Sequence, residues 1–205
     1  MQAVFARNLE MFAELAEQLL EKDQIKAIKR IRQLRDQLNA GFAAVTAQAD
    51  GVLFEFGPTR QRQLQIREDL RRWQPSIRTL LQVQIASVQY LAHKPLSNLP
   101  EPLAQAGVAF EKEIALVMHA MANEVSGKPV DAAPDIRISA ARMQEAIRNY
   151  YQGLGAPVPA QASDVLGLAE SLATILAPLY DDIRATFAAY NPGMDEHVQL
   201  QHGEA

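Results

Sequence analysis

The chain of 205 residues contains no cysteine. Disulfides, thiolate nucleophiles and cysteine-ligated zinc or iron–sulfur sites are therefore excluded, although no compartment is identified by that absence. Aromatic residues are scarce at 6%, with a single tryptophan at position 73. Long hydrophobic runs are lacking too. The best membrane candidate, "TLLQVQIASVQYLA" from Thr79 to Ala92, falls short of the roughly 18 residues a span needs and carries three glutamines. The N-terminus has no basic segment leading into an apolar run, as a signal peptide would. On these grounds the chain is expected to be soluble. Strand-period alternation is missing, and so is any internal repeat of about 20–50 residues.

Catalytic patterns are missing as well. A dinuclear metal site in a helical bundle needs Glu-x-x-His pairs, yet the residues three before His93, His119, His197 and His202 are Tyr90, Leu116, Met194 and Gln199. His-Glu-x-x-His and Gly-x-Ser-x-Gly do not occur, and "GLG" at 153–155 continues into Ala-Pro instead of a phosphate-binding glycine loop. The carboxylate pairs Glu111/Glu113 and Asp181/Asp182 fall on helical segments, where such pairs are usually solvated faces. No catalytic residue, metal ligand or cofactor is expected, and the chain does not read as an enzyme.

The acidic and basic residues number 24 and 20, for a net charge of −4, which gives no electrostatic reason to expect nucleic acid. Their distribution is uneven. Residues 1–100 carry +4 and residues 101–205 carry −8. Two basic clusters account for the difference: Lys22, Lys26, Lys29, Arg30, Arg32 and Arg35, then Arg60, Arg62, Arg67, Arg71, Arg72 and Arg78. Such clusters either pair with the acidic half or present a surface to anionic lipid headgroups or another anionic ligand.

What is present is helical periodicity almost throughout. Phe5, Leu9, Phe12, Ala16 and Leu19 mark a first helix. Leu38, Phe42, Val45, Ala49, Val52 and Phe56 alternate steps of four and three, which predicts a long second helix from an N-cap at Asp23 to residue 56, so that residues 2–56 form a helical hairpin. Gly57, Pro58 and Thr59 predict a tight reversal, with Phe54 and Phe56 burying aromatic area at the corner. A helix over 59–93 should present Ile66, Leu70, Trp73, Ile77, Leu80 and Leu81 to a core and should kink or divide at Pro75. Further helices are predicted over 101–125, 136–152 and 162–190, the last kinked by Pro178. The least ordered stretch is expected at 127–135, and 191–205 reads as a polar tail. The expectation is an all-α, elongated bundle of six or seven mostly antiparallel helices in one domain over 1–190.

One segment departs from generic helix-forming composition. "FEFGPTRQRQLQIREDLRRWQPSIRTLLQVQIASVQY", Phe54 to Tyr90, sets an aromatic-Glu-x-Gly-Pro-x-Arg core before an arginine-rich helix ending in Trp-Gln-Pro, then a Leu/Ile-rich helix closing on Tyr. It resembles the soluble region of the fusaric-acid-resistance (FUSC) family of bacterial inner-membrane exporters. The likeness rests on Phe54, Glu55, Phe56, Gly57, Pro58, Arg60, Leu64, Arg67, Arg71, Trp73, Gln74, Pro75, Arg78 and Tyr90. It implies a domain on the cytoplasmic face that serves assembly, dimerisation or gating in efflux of aromatic acids or drugs, without transporting alone. Its partners would be a membrane domain of the same polypeptide, or a second copy. The membrane helices that flank this region in the family are not in this sequence, so an excised domain is the expectation. The alternative is a free-standing helical interaction protein whose 23–56 heptads form the partner surface. Arg60, Arg67, Arg71 and Arg78, at steps of seven, four and seven, form one expected stripe. Gln74 is expected to bond a carbonyl freed by Pro75.

Overall fold

A computed structural model of the chain describes residues 1–21, 24–54, 57, 60–130 and 132–190. Six α-helices run in order: α1 Gln2–Gln18, α2 Gln24–Gly51, α3 Arg60–His93, α4 Glu101–Ser126, α5 Ile136–Gly153 and α6 Ala160–Tyr190. Short 3-10 turns at Val52–Phe54 and Leu96–Asn98 follow α2 and α3. No strand occurs among the described residues, so the fold is an all-α bundle.

Local sequence sets several of these ends. Glu101 and Pro102 open α4, where a proline loses nothing because the first-turn N–H groups have no intrahelical partner. Gly127 closes α4 at φ 65°, a left-handed position that glycine adopts without a Cβ clash. Asp135 caps α5 by accepting the Arg137 backbone N–H at 2.9 Å. The expected caps Asp23 and Thr59, part of the 127–135 stretch (Asp131) and the tail 191–205 lie outside the described residues.

Side-chain pairs give the directions. Glu14 to Arg30 at 2.5 Å, with Asn8 beside Gly41, runs α1 antiparallel to α2, and Lys128 to Glu10 at 3.7 Å, with His119 to Glu17 at 3.4 Å, runs α4 antiparallel to α1. Tyr90 with Asp164 and Trp73 with Asp182 run α3 antiparallel to α6. A continuous core joins Phe5, Leu9, Phe12, Leu34, Leu38, Leu70, Ile77, Ile114, Met118, Ile147, Leu176 and Ile183, and α1 lies along α4 with α2 on its other side. Burial of each such side chain contributes about 1.5–3 kcal/mol, which outweighs weak local propensity.

Three expectations are corrected. The second helix does not reach residue 56; it ends at Gly51 and tightens into the 3-10 turn. Pro75 does not divide its helix: α3 runs through it as a single element, as α6 runs through Pro178. Each proline removes one backbone donor, but buried residues on both sides, Trp73 with Ile77 and Leu176 with Leu179, pack into the same core and hold the helix across the gap. The heptad face of α2 is not free for a partner, because Leu38, Phe42 and Val45 are consumed by the chain's own core.

Among the described residues one helix, α6 and not 79–92, is long and apolar enough to span a membrane. An 18-residue window in α6 reaches a mean hydropathy of 1.3, with 44% of its residues buried. Much of that apolarity is used inside the bundle, where Leu172, Leu176, Leu179 and Ile183 are core residues.

The crossing of α1 and α2 is tight. A Cβ on Gly41 would lie 2.0 Å from Asn8 Oδ1, and Asn8 is buried. Gly41→Ala is therefore expected to lower stability by about 1–3 kcal/mol through overpacking, although alanine is the better helix former. In an Asn8→Ala background the same change should be neutral or stabilising by up to about 1 kcal/mol. Urea denaturation of the four chains measures both signs.

Candidate functional site

The described residues that carry the family resemblance lie on α3 and just before it, and the fold treats them in two ways. One group is turned inward. Trp73 is buried, stacked on Phe5 of α1 at a centroid distance of 6.0 Å and tilted against Phe187 of α6 at 6.1 Å. Its Nε1 donates to Asp182 Oδ2 at 2.7 Å. The neighbouring Arg72 also reaches Asp182, at 3.1 Å, and Asp69 one turn back, at 3.2 Å. Asp69 is itself buried and accepts the Tyr190 hydroxyl. The α3–α6 seam thus carries a charged lattice of Asp69, Arg72 and Asp182, closed by the indole and the phenol. Partial desolvation, with Asp69 beside it, pushes the Tyr190 hydroxyl up to about 12. Tyr90 repeats the arrangement at the other end: its hydroxyl donates to Asp164 at 2.8 Å and is pushed up to about 12 by desolvation and that bond.

Gln74 and Arg67 tie α3 to α2. Gln74 does not bond a carbonyl freed by Pro75; its Nε2 donates to the Thr46 hydroxyl at 3.1 Å, across the helix pair. The amide lies within reach of a side chain on the packed helix, and a cross-helix bond fixes register where a local one would not. Arg67 leaves the expected stripe. It is 7% exposed, its Nε donates to the Ala49 carbonyl at 3.0 Å, and its guanidinium pairs with Glu68 and, at 3.8 Å, with Asp50. The Ala49 carbonyl sits in the last turn of α2, where carbonyls lack intrahelical partners. Arg67 therefore acts as a C-terminal cap for the preceding helix.

The second group faces outward. Phe54 is 79% exposed, so it does not bury aromatic area at the corner as expected; the shortened α2 leaves it on a 3-10 turn beyond the core. Arg60, Arg71 and Arg78 are exposed and have no ion pair among the described residues. Pro75 is exposed as well, and Gly57 takes φ 132°, a backbone that a side chain would strain. Glu55, Phe56 and Pro58 lie outside the described residues.

Two concavities accompany this surface. An apolar cleft of about 330 Å³ opens between the α1–α2 turn and the end of α3, lined by Leu19, Ile28, Ile31, Val88, Leu91 and Leu96. A small cavity of about 20 Å³ sits where α3 to α6 meet, beside Ser87 and Glu111. Glu111 is not on a solvated face, as its place beside Glu113 suggested, but buried. Among the described residues no three His, Asp or Glu side chains come together as a metal site. The charged seam, the C-cap and the Gln74–Thr46 bridge were not foreseeable from the segment itself, because each needs a residue 18 to 121 positions away.

Trp73 is the only tryptophan, so it reports on this seam directly. Trp73→Phe keeps an aromatic ring but leaves Asp182 short of a donor, and is expected to cost about 1–3 kcal/mol; Trp73→Ala should cost about 3–5 kcal/mol. Guanidinium denaturation measures both. In the unaltered chain the indole fluorescence should resist iodide quenching until the unfolding transition.

Comparison with known proteins finds no matching family model, no matching curated protein and no matching solved structure.

Proposed function

We propose that this chain is a helical assembly region of a FUSC-type exporter, held at the cytoplasmic face of a bacterial inner membrane by its own polypeptide and having no transport activity alone. One observation carries the reading. The resemblance residues divide between Trp73, Gln74, Arg67 and Tyr90, each with an internal bond, and Phe54, Arg60, Arg71 and Arg78, which the bundle does not use. An exposed phenylalanine at a helix corner leaves apolar area in water, and the exposed arginines along the following helix have no ion pair among the described residues. Such residues fit a surface that is covered elsewhere: by the membrane domain, by a second copy, or by anionic headgroups beside the bilayer. The exported substrate class, aromatic acids or drugs, follows from the resemblance.

The competing reading is a free-standing interaction protein. Its partner surface cannot be the α2 heptad face, which is buried within the bundle. The exposed Ile25 and Ile28, near the start of α2, would serve it instead.

Two experiments separate these. Immunoblotting of native cells after carbonate washing should find the chain in a membrane-bound polypeptide much larger than itself; a soluble band of the chain's own size overturns the exporter reading. In the full polypeptide, Arg71→Glu with Arg78→Glu should abolish drug or acid resistance. The same pair should change the stability of the isolated chain by no more than about 0.5 kcal/mol, as exposed sites do. Retained resistance would show that this face has no role in assembly.

A further inference from the structure

In the middle of the bundle a carboxyl group is shut away from water with no cation beside it. Glu111 on α4 is 6% exposed, and Gln84 on α3 opposite it is 0% exposed. Gln84 Nε2 donates to Glu111 Oε2 at 3.2 Å, the one hydrogen bond to this carboxyl among the described residues. Gln84 Oε1 has no donor among the described residues. The cavity of about 20 Å³ beside the pair is walled by Leu91, Leu96, Phe110, Met143 and Leu172, and has room for about one water. Ser87 on the same wall offers no donor, because its hydroxyl already donates to the Val83 carbonyl at 3.0 Å.

Charged groups on every element packed here are engaged elsewhere or face solvent. On α1, Glu10 meets Lys128, Glu14 meets Arg30 and Glu17 faces His119, while Arg7 is exposed. On α4, Lys112 is exposed and Glu113 pairs with Arg142 of α5. On α6, Asp164 takes the Tyr90 hydroxyl, and on α3 Arg78 and His93 are exposed. An ionised Glu111 would therefore be a bare buried charge, which costs several kcal/mol.

A single proton removes both defects. It cancels the charge, and the resulting O–H is the donor that Gln84 Oε1 lacks, reached directly as a two-point acid–amide pair or through one water in the cavity. We infer that Glu111 is a buried proton-binding site, filled in the folded chain under acidic conditions, whose emptying puts an unpaired charge into the α3–α4 seam and loosens the four-helix junction. This inference does not rest on the exporter reading. Desolvation raises the carboxyl from 4.5 to about 7, against a smaller opposing pull from the Gln84 hydrogen bond. Since the folded value lies above the unfolded one, the proton stabilises the fold fully below about 4.5, and that contribution is lost as pH rises through about 7.

Glu111→Gln is the test variant, because its amide mimics the neutral acid in size and supplies a donor to Gln84. Urea unfolding of both chains should be compared from about pH 5 to 8. The folding constant of the unaltered chain should fall relative to the variant by up to about 100-fold across that window. Parallel curves would overturn the inference. Should the variant not fold, isotope-edited infrared spectra of the unaltered chain with labelled glutamate decide the matter. A protonated carboxyl band persisting at about pH 6, where free glutamates are ionised, and vanishing by about pH 8 supports the site; no such band at pH 6 rules it out.

Discussion

The arrangement of α1, α3 and α6 depends on covering one indole. Trp73 projects from the middle of α3, and its ring packs against Phe5 and Phe187 while its N–H is taken by Asp182. Ring stacking alone would allow α6 to slide by a turn at modest cost. The directional bond to Asp182, shared with Arg72, leaves a single register in which both the ring and the polar edge are satisfied. That register then places Tyr190 against Asp69 at one end and Tyr90 against Asp164 at the other. Three tie points along one antiparallel seam follow from one anchored side chain.

Helix α3 is unusual for a central element in being polar. Of the buried polar or charged residues, Arg67, Asp69, Gln84 and Ser87 all lie on it. Apolar area holds the bundle together, but these groups make the packing specific, since each has an acceptable environment in only one arrangement and is costly in any other. Arg67 caps α2, Asp69 closes on Tyr190, Gln84 meets Glu111, and Ser87 returns to its own helix. On this helix the one incomplete group among the described residues is Gln84 Oε1; the other such atom is Asn8 Nδ2 on α1. A helix that is otherwise so fully satisfied makes that single gap informative, and a titratable neighbour is the chemical means of filling it.

The outward side of α3 has the reverse character. Arg60, Arg71 and Arg78 follow the helical repeat along a solvent face, and Phe54 stands at its near end. None of the three arginines has an ion pair among the described residues. A surface that combines a protruding aromatic ring with regularly spaced cations is suited to a neighbour that is both apolar and anionic, and this is the property that the proposed role at a membrane protein calls upon.

By itself the sequence determined that the chain is helical, where most helices lie, and which stripe of each faces inward: Ile66, Leu70, Trp73, Ile77, Leu80 and Leu81 are all buried as their spacing predicts. Periodicity is a local property, and a few residues on either side suffice to read it. The tertiary structure alone decided what those stripes meet. A glutamate at 111 beside another at 113 looks like a solvated face, and only the closing of α3, α5 and α6 around it makes it a buried acid. Likewise Arg67 belongs to a regular arginine series until the end of α2 comes within its reach, and Pro75 signals a break until the core holds the helix on both sides of it. In each case the deciding energy comes from desolvation or from a partner far along the chain, and neither is written in the neighbouring residues.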